Sequence, residues 1–431
     1  MTSSVFQLKQ YHNVSLSVRY ISLFCLLFCY VFAFYLGPLS VSLLIAVPLY
    51  VIICINRQYK KAFFFVISTS LVRRVAKVWF FLVFLSLLYP ILFGTLDYSF
   101  FRVIGTQGLH LAAALPVFAY LKKNQFTVDE VESVFVYIFV AQTIIQLIVV
   151  SNDSLGNLIL SFNRYDPDRV VGLGSNIRGK ALSAATTYHL TLAYGIAFIV
   201  YIKVFICNHI SLFNILIGIL LFVGIFFAGR SGFVGCLIGA LGYLFFRGSG
   251  SVVRKLKNIV KILLWLFISV TVVLVLISVY SPEYYHFLEK DVFAYAFEFL
   301  YSFGESGEFE TASTNDLLGM WDTDFNPMEL LLGSGHYTGE DGAYYMHVDP
   351  GILRHLLFMG CIGYMVLILY QLTLLPFMLM ENKAKFFSIC IFIFIFLLDF
   401  KGATLGTNKF VFSITLLISY VELYLHRNSY K

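Results

Sequence analysis

The 431-residue chain is 59% hydrophobic and only 13% charged, with a mean hydropathy of +0.84. A water-soluble domain carries about 25% charged residues, so a soluble globular protein is excluded and most of the surface must face lipid. The net charge of +6 therefore has to be read by topology, and nucleic acid is not an expected partner. The seven cysteines all lie in or at the ends of apolar runs. They read as small buried hydrophobes and argue against a disulfide framework.

In chain order, Lys9 and Arg19 precede an apolar run with no small-residue cleavage site behind it, the pattern of a retained anchor. A spanning helix needs about 20 mostly apolar residues. The chain predicts twelve such helices, over 20–36, 39–55, 77–94, 104–121, 131–150, 182–205, 210–228, 232–247, 259–280, 350–376, 386–400 and 408–425. The shorter run 62–72, "AFFFVISTSLV", sits between "RQYKK" and "RRVAK" and predicts a helix lying in the interface. The expected fold is an all-α polytopic membrane protein with about 12 transmembrane helices. Residues 1–280 hold the first nine, 281–349 a large loop, and 350–431 the last three.

Lysine and arginine are retained on the cytoplasmic side. With the N-terminus inside, the inner loops hold most of the 30 positive residues and the outer loops most of the 24 acidic ones. Both termini are then cytoplasmic, and two long segments are periplasmic. One is 151–181, with "NRYDPDRVVGLGSNIRGK". The other is 281–349, acidic and aromatic. A loop that long is functional or disordered, and its aromatic content argues for order.

Chemistry-bearing residues concentrate on that side. Arg230 in "AGRSGFVG" lies in a tight outer turn, where it either snorkels to the headgroups or is paired. In "MHVDPGILRHLLFMG" (346–360), Asp349 before Pro350 predicts a helix cap. Arg354 follows one turn later near the positive helix end, a combination suited to an anion. His347 precedes that helix, Gly351 permits close approach, and His355 points elsewhere, into packing or the interface. Arg164, Arg169 and Arg178, with Lys180, form an outer basic group that the positive-inside rule should have depleted. The cores of the apolar helices are expected to contain Gln142, Gln146, His189 and Gln371 but no Asp, Glu, Lys or Arg, which weighs against ion-coupled transport. No phosphate-binding loop, nucleophile elbow or metal-ligand spacing occurs.

A multi-spanning chain whose large outer loop ends in "LLGSGHY…HVDPGILRHLLFMGCIG", preceded by a "GRSG" turn, resembles the Wzy-type O-antigen polymerases. Those polymerases are grouped with the O-antigen ligases and are similar in fold to the GT-C glycosyltransferases. Some Wzy proteins carry an R-x10-G pattern in two outer loops. Here Arg164, Arg169 and Arg178 are followed eleven residues on by Ser175, Lys180 and His189, so that pattern is missing. The resemblance implies an enzyme of lipopolysaccharide biosynthesis in the bacterial inner membrane. It would transfer a growing glycan from undecaprenyl diphosphate onto a new lipid-linked repeat unit, with no cofactor and with a chain-length regulator protein as a partner. Arg230 and Arg354 would stabilise the leaving diphosphate. His347 would deprotonate the acceptor hydroxyl, with His336, Asp341 and Asp349 as alternatives or sugar ligands, and Arg164, Arg169 and Arg178 would bind substrate. The alternatives are the ligase, with a lipid A-core acceptor, a lipid-linked oligosaccharide flippase, and a structural membrane protein. The last leaves the outer arginines unexplained.

Overall fold

A computed structural model gives the structure of residues 2–163, 180–184, 187–208, 210–246, 251–280, 282, 286, 302–304 and 312–426. Helix α1 (Thr2–Phe32) leads into a hairpin of β1 (Tyr35–Leu36) and β2 (Leu39–Ser40), antiparallel with Tyr35 opposite Ser40. Helix α2 (Val41–Ile55) follows, and α3 (Arg57–Ser68) turns away from it by 113°. Asn56 makes that corner. Its extended backbone ends α2 while its side-chain carbonyl accepts the N–H groups of Gln58 and Tyr59. Arg57, Lys60 and Lys61 of α3 are exposed while Ala62 and Val66 are buried, so a short amphipathic helix lies across the bundle. It begins five residues before the apolar run because the cap, not the hydrophobicity, sets its start.

Beyond α3 come α4 (Ser70–Leu92), α5 (Ser99–Lys123), α6 (Val128–Ser151) and α7 (Asp153–Leu160). Helix α8 (Thr187–Tyr201) continues through a π-helical turn, Ile202–Ile206. Then follow α9 (Leu212–Ala228), α10 (Phe233–Phe245) and α11 (Val252–Tyr280). Two short helices, α12 (Ala312–Trp321) and α13 (Pro327–Leu332), precede α14 (Gly351–Leu374), α15 (Asn382–Asp399) and α16 (Lys409–Tyr424). Among the described residues, five helices are long and apolar enough to cross a membrane, or six if bent α2 and α3 count as one span. Ser17–Phe32, α9 and Arg230–Phe245 are apolar but shorter. The fold is that of an all-α membrane protein. Helix α8 is its axis, apolar on nearly all sides and buried against α6, α9, α10, α15 and α16.

The loops gather at two ends. One end joins the hairpin to Phe162 (Tyr35 N–H to its carbonyl, 2.7 Å) and Phe32 to Ala184 (2.8 Å). It also joins the α4–α5 turn to residues 335–338. The other end joins Arg19 to Glu130 (3.0 Å), Val128 to His426 (3.1 Å) and Lys122 to Tyr424 (3.0 Å).

One expectation is corrected here. Helix interiors do hold ionisable groups: Lys203 contacts Glu132 at 2.5 Å and also Glu422, and all three are buried. Asp399 is fully buried as well. The first three come from three separate runs, each near a run's end, and only packing of α6, α8 and α16 assembles them. The absence of ionisable groups thus no longer counts against transport.

Candidate functional site

Helix α14 is broken at Met359 (φ −131, ψ 16) and Gly360 (φ 64, ψ −174), so Gly351–Phe358 is a separate half-helix. A break at membrane depth survives only where protein satisfies the freed backbone groups. Here the strap that follows α13 does so. Ser334 N–H donates to Leu357 O at 2.7 Å, Gly335 N–H donates to Phe358 O at 3.0 Å, and the Ser334 hydroxyl also reaches Leu357 O at 2.9 Å. Gly333 and Gly360, both at positive φ, make the crossing possible. A Cβ on Gly333 would lie 2.6 Å from Phe358 O, and one on Gly360 would be 2.6 Å from the carbonyl carbon of Leu332. The "LLGSG" segment is a fastening for the half-helix.

The next residues, "HYT", are held by Asp97 in the α4–α5 turn. One carboxylate oxygen accepts the N–H groups of Tyr337 (2.6 Å) and Thr338 (2.7 Å). The other accepts Ser99 N–H (2.9 Å) and the Ser99 hydroxyl. Burial by itself would push this carboxyl up, but these donors outweigh it and hold it below the usual carboxylate range. The Thr95 hydroxyl adds a bond to Gly335 O at 2.8 Å.

This fastening lays two tyrosines over Arg354. The guanidinium carbon is 3.4 Å from the Tyr344 ring centroid and 4.7 Å from that of Tyr337. Arg354 is 9% exposed, and among the described residues its Nε has no hydrogen-bond partner and no carboxylate lies within 4 Å of it. Val348, Leu353 and Leu357 form a small apolar cluster beneath, against Met320, Trp321, Phe325 and Tyr345. A buried guanidinium gains about 2 kcal/mol from such stacking, far less than desolvation of an ion costs. The remaining charge is therefore available to an anion, and the planar N–H fork suits phosphate oxygens.

Asp399 closes the floor. It accepts N–H groups from Thr404 (2.8 Å) and Leu405 (3.0 Å) and the Tyr364 hydroxyl (3.1 Å), and Gly351 is packed directly on it. Tyr188 ties the same turn through Thr404 at 2.9 Å, and His189 meets Asn408 at 2.6 Å. His355 is fully buried and packed beside Phe100 and Tyr364, as expected.

The other expected residues fall as follows. His336 stacks on Tyr345, centroids 5.0 Å apart, beside the Arg354 cover. His347 closes a 3-10 turn that starts one residue after Tyr344, and its Nε2 lies 3.5 Å from Asp341 Oδ2, both groups exposed. Asp349 is not a cap. Pro350 has an extended ψ of 124 and occupies the cap position, so α14 starts at Gly351, and Asp349 N–H instead faces Met320 Sδ at 3.3 Å. Arg230 sits in the 3-10 turn Arg230–Gly232. This turn is held on α8 where the Thr191 hydroxyl reaches Gly229 O, one helical turn from Tyr188. Arg164, Arg169 and Arg178 lie outside the described residues, as does most of the aromatic stretch 283–303.

Sequence reasoning missed Asp97, Tyr337, Tyr344 and Asp399. For Asp399 a signal existed, since a carboxylate within the apolar run 386–400 is costly unless it has work to do. For Asp97, whose partners are some 240 residues away, there was none. Compared with protein-family models, characterised proteins and solved structures, the chain matches none.

Proposed function

We propose that the protein is a polysaccharide polymerase of the Wzy type. It moves a growing glycan from undecaprenyl diphosphate onto a new lipid-linked repeat unit at the periplasmic face of a bacterial inner membrane. The proposal includes about twelve spans in a GT-C-like arrangement and cytoplasmic termini. The observation that carries it is Arg354, a buried guanidinium between two tyrosine faces with no acidic partner in contact among the described residues, at the start of a broken helix. Transfer from a lipid diphosphate develops negative charge on the leaving group, and a fixed cation in a water-poor site stabilises it. Arg230, on the same end, contributes a second cation. Tyr337, Tyr344 and His336 offer the ring faces and polar edges that sugars pack on. His347, positioned by Asp341 and carried on the loop that covers Arg354, takes the acceptor hydroxyl's proton.

The test combines a deletion strain with Arg354 variants at equal membrane abundance. Deletion leaves single repeat units on the lipid A-core. Arg354→Ala does the same, and Arg354→Lys recovers little, because an ammonium lacks the fork. Normal polymer in Arg354→Ala refutes the role. Unmodified core with accumulated carrier-linked polymer after deletion assigns the ligase reaction instead.

A further inference from the structure

Lys409 is the first residue of α16, on the end of the bundle that carries Arg354, and it lines a cavity of about 220 Å³. The cavity lies between the hairpin, α2 and α5, and its polar wall is Tyr35, Ser40, Ser42, Thr106 and His110. None of the groups around Arg354 lines it. The ammonium lies 5.3 Å from the Phe410 ring centroid, and among the described residues it has no ion pair. The first N–H groups of α16 are already taken by Asn408 Oδ1, at 3.0 Å from Phe410 N and 3.1 Å from Val411 N. The lysine, not the helix terminus, is therefore the attractive element. The Ser413 hydroxyl donates to Lys409 O at 2.9 Å, so in its 3.1 Å contact with His110 the ring Nδ1–H is the donor. With the proton on Nδ1, Nε2 of a neutral ring is an acceptor only, so Lys409 is the group that attracts an anion.

The rim shows what kind of anion fits. Leu39 and Leu109, which also line the cavity, are 49% and 55% exposed, and on a membrane bundle such residues meet lipid. From Leu43 in the wall, α2 carries Val47, Val51 and Ile55 at one-turn spacing, 62%, 52% and 81% exposed. An apolar track thus leaves a cationic cavity along the helix. We infer that the Lys409 cavity binds the phosphate headgroup of an anionic membrane lipid whose acyl chain lies along Val47, Val51 and Ile55. The site is independent of the reaction assigned to Arg354. Free phosphate shares the headgroup chemistry, and the track is what favours the lipid.

The test is native mass spectrometry of the detergent-purified chain titrated with phosphatidylglycerol. Wild type and Lys409→Arg retain one lipid at least about fivefold more tightly than Lys409→Gln, the effect of one lysine near a headgroup. Lys60→Gln, at the bundle's other end, behaves as wild type. Lipid-free melting temperatures of all variants match, so the loss reads binding and not folding. Diacylglycerol, with the chains but no phosphate, binds weakly. Failure of excess inorganic phosphate to displace the lipid supports the lipid assignment, whereas displacement keeps the phosphate site but assigns it to the soluble ion. Equal retention by wild type and Lys409→Gln, or equal affinity for diacylglycerol, overturns the inference.

Discussion

Replacing Asp97 with alanine removes the acceptor for two N–H groups of the strap, Tyr337 at 2.6 Å and Thr338 at 2.7 Å, and for Ser99. Hydrogen bonds to a charged acceptor contribute about 1.5–3 kcal/mol each. Asp97 is partly exposed, so the lower figure applies, and the two strap bonds together are worth about 3 kcal/mol. That shifts the local opening equilibrium of the strap by about 100-fold. The assay is amide hydrogen exchange in detergent. Protection across 336–345 is expected to fall by about that factor in Asp97→Ala, while α8 and α16 are unchanged. Asp97→Asn, with one acceptor oxygen and no charge, falls between. The pH dependence has a definite sign. The folded carboxyl sits below its ordinary value of 3.8. The clamp is therefore fully present above that value and is lost as pH falls through the lower folded value, with no change around neutrality. Equal protection of 336–345 in wild type and Asp97→Ala would refute the reasoning, because it would mean that the Gly333–Gly360 crossing alone holds the strap.

Gly360→Ala combines a conformation that only glycine adopts readily with a Cβ 2.6 Å from Leu332 C. It is expected to cost about 2–6 kcal/mol, against about 1 kcal/mol for Gly342→Ala, which has φ +79 but open space; melting temperatures in detergent compare them. Lys203→Met leaves Glu132 and Glu422 buried without their cation and should cost about 3–5 kcal/mol. Adding Glu132→Gln and Glu422→Gln should restore monodisperse protein on size-exclusion chromatography. His347→Ala is expected to slow elongation of purified lipid-linked repeat units by about 100-fold or more, with Asp341→Ala intermediate. A near wild-type rate would move the base to Asp341 or Asp349.

Composition alone decided that this chain lives in lipid, because 13% charge leaves too few polar groups to cover a water-facing surface. Local pattern placed the corner at α2–α3, where a basic flank meets a short apolar run, and it singled out Arg354, while the "LLGSG" segment entered only with the family resemblance. It did not show that the two belong to one device. The break in α14 is invisible as periodicity, since "LLFMGCIGYM" reads as one apolar helix, and it exists because Ser334 and Gly335 supply hydrogen bonds to Leu357 and Phe358. The same holds for Asp97 on the strap, for Asp399 under Gly351, and for Lys203 between two glutamates. Lys203 and Asp399 would be too costly alone in an apolar interior, and each is stabilised by partners from other helices, two glutamates for the one and the Tyr364 hydroxyl for the other. Hydrophobicity is a sum over neighbouring residues and can be read along the sequence. Satisfying a buried charge depends on which distant groups come within about 3 Å, and only the packed bundle determines that.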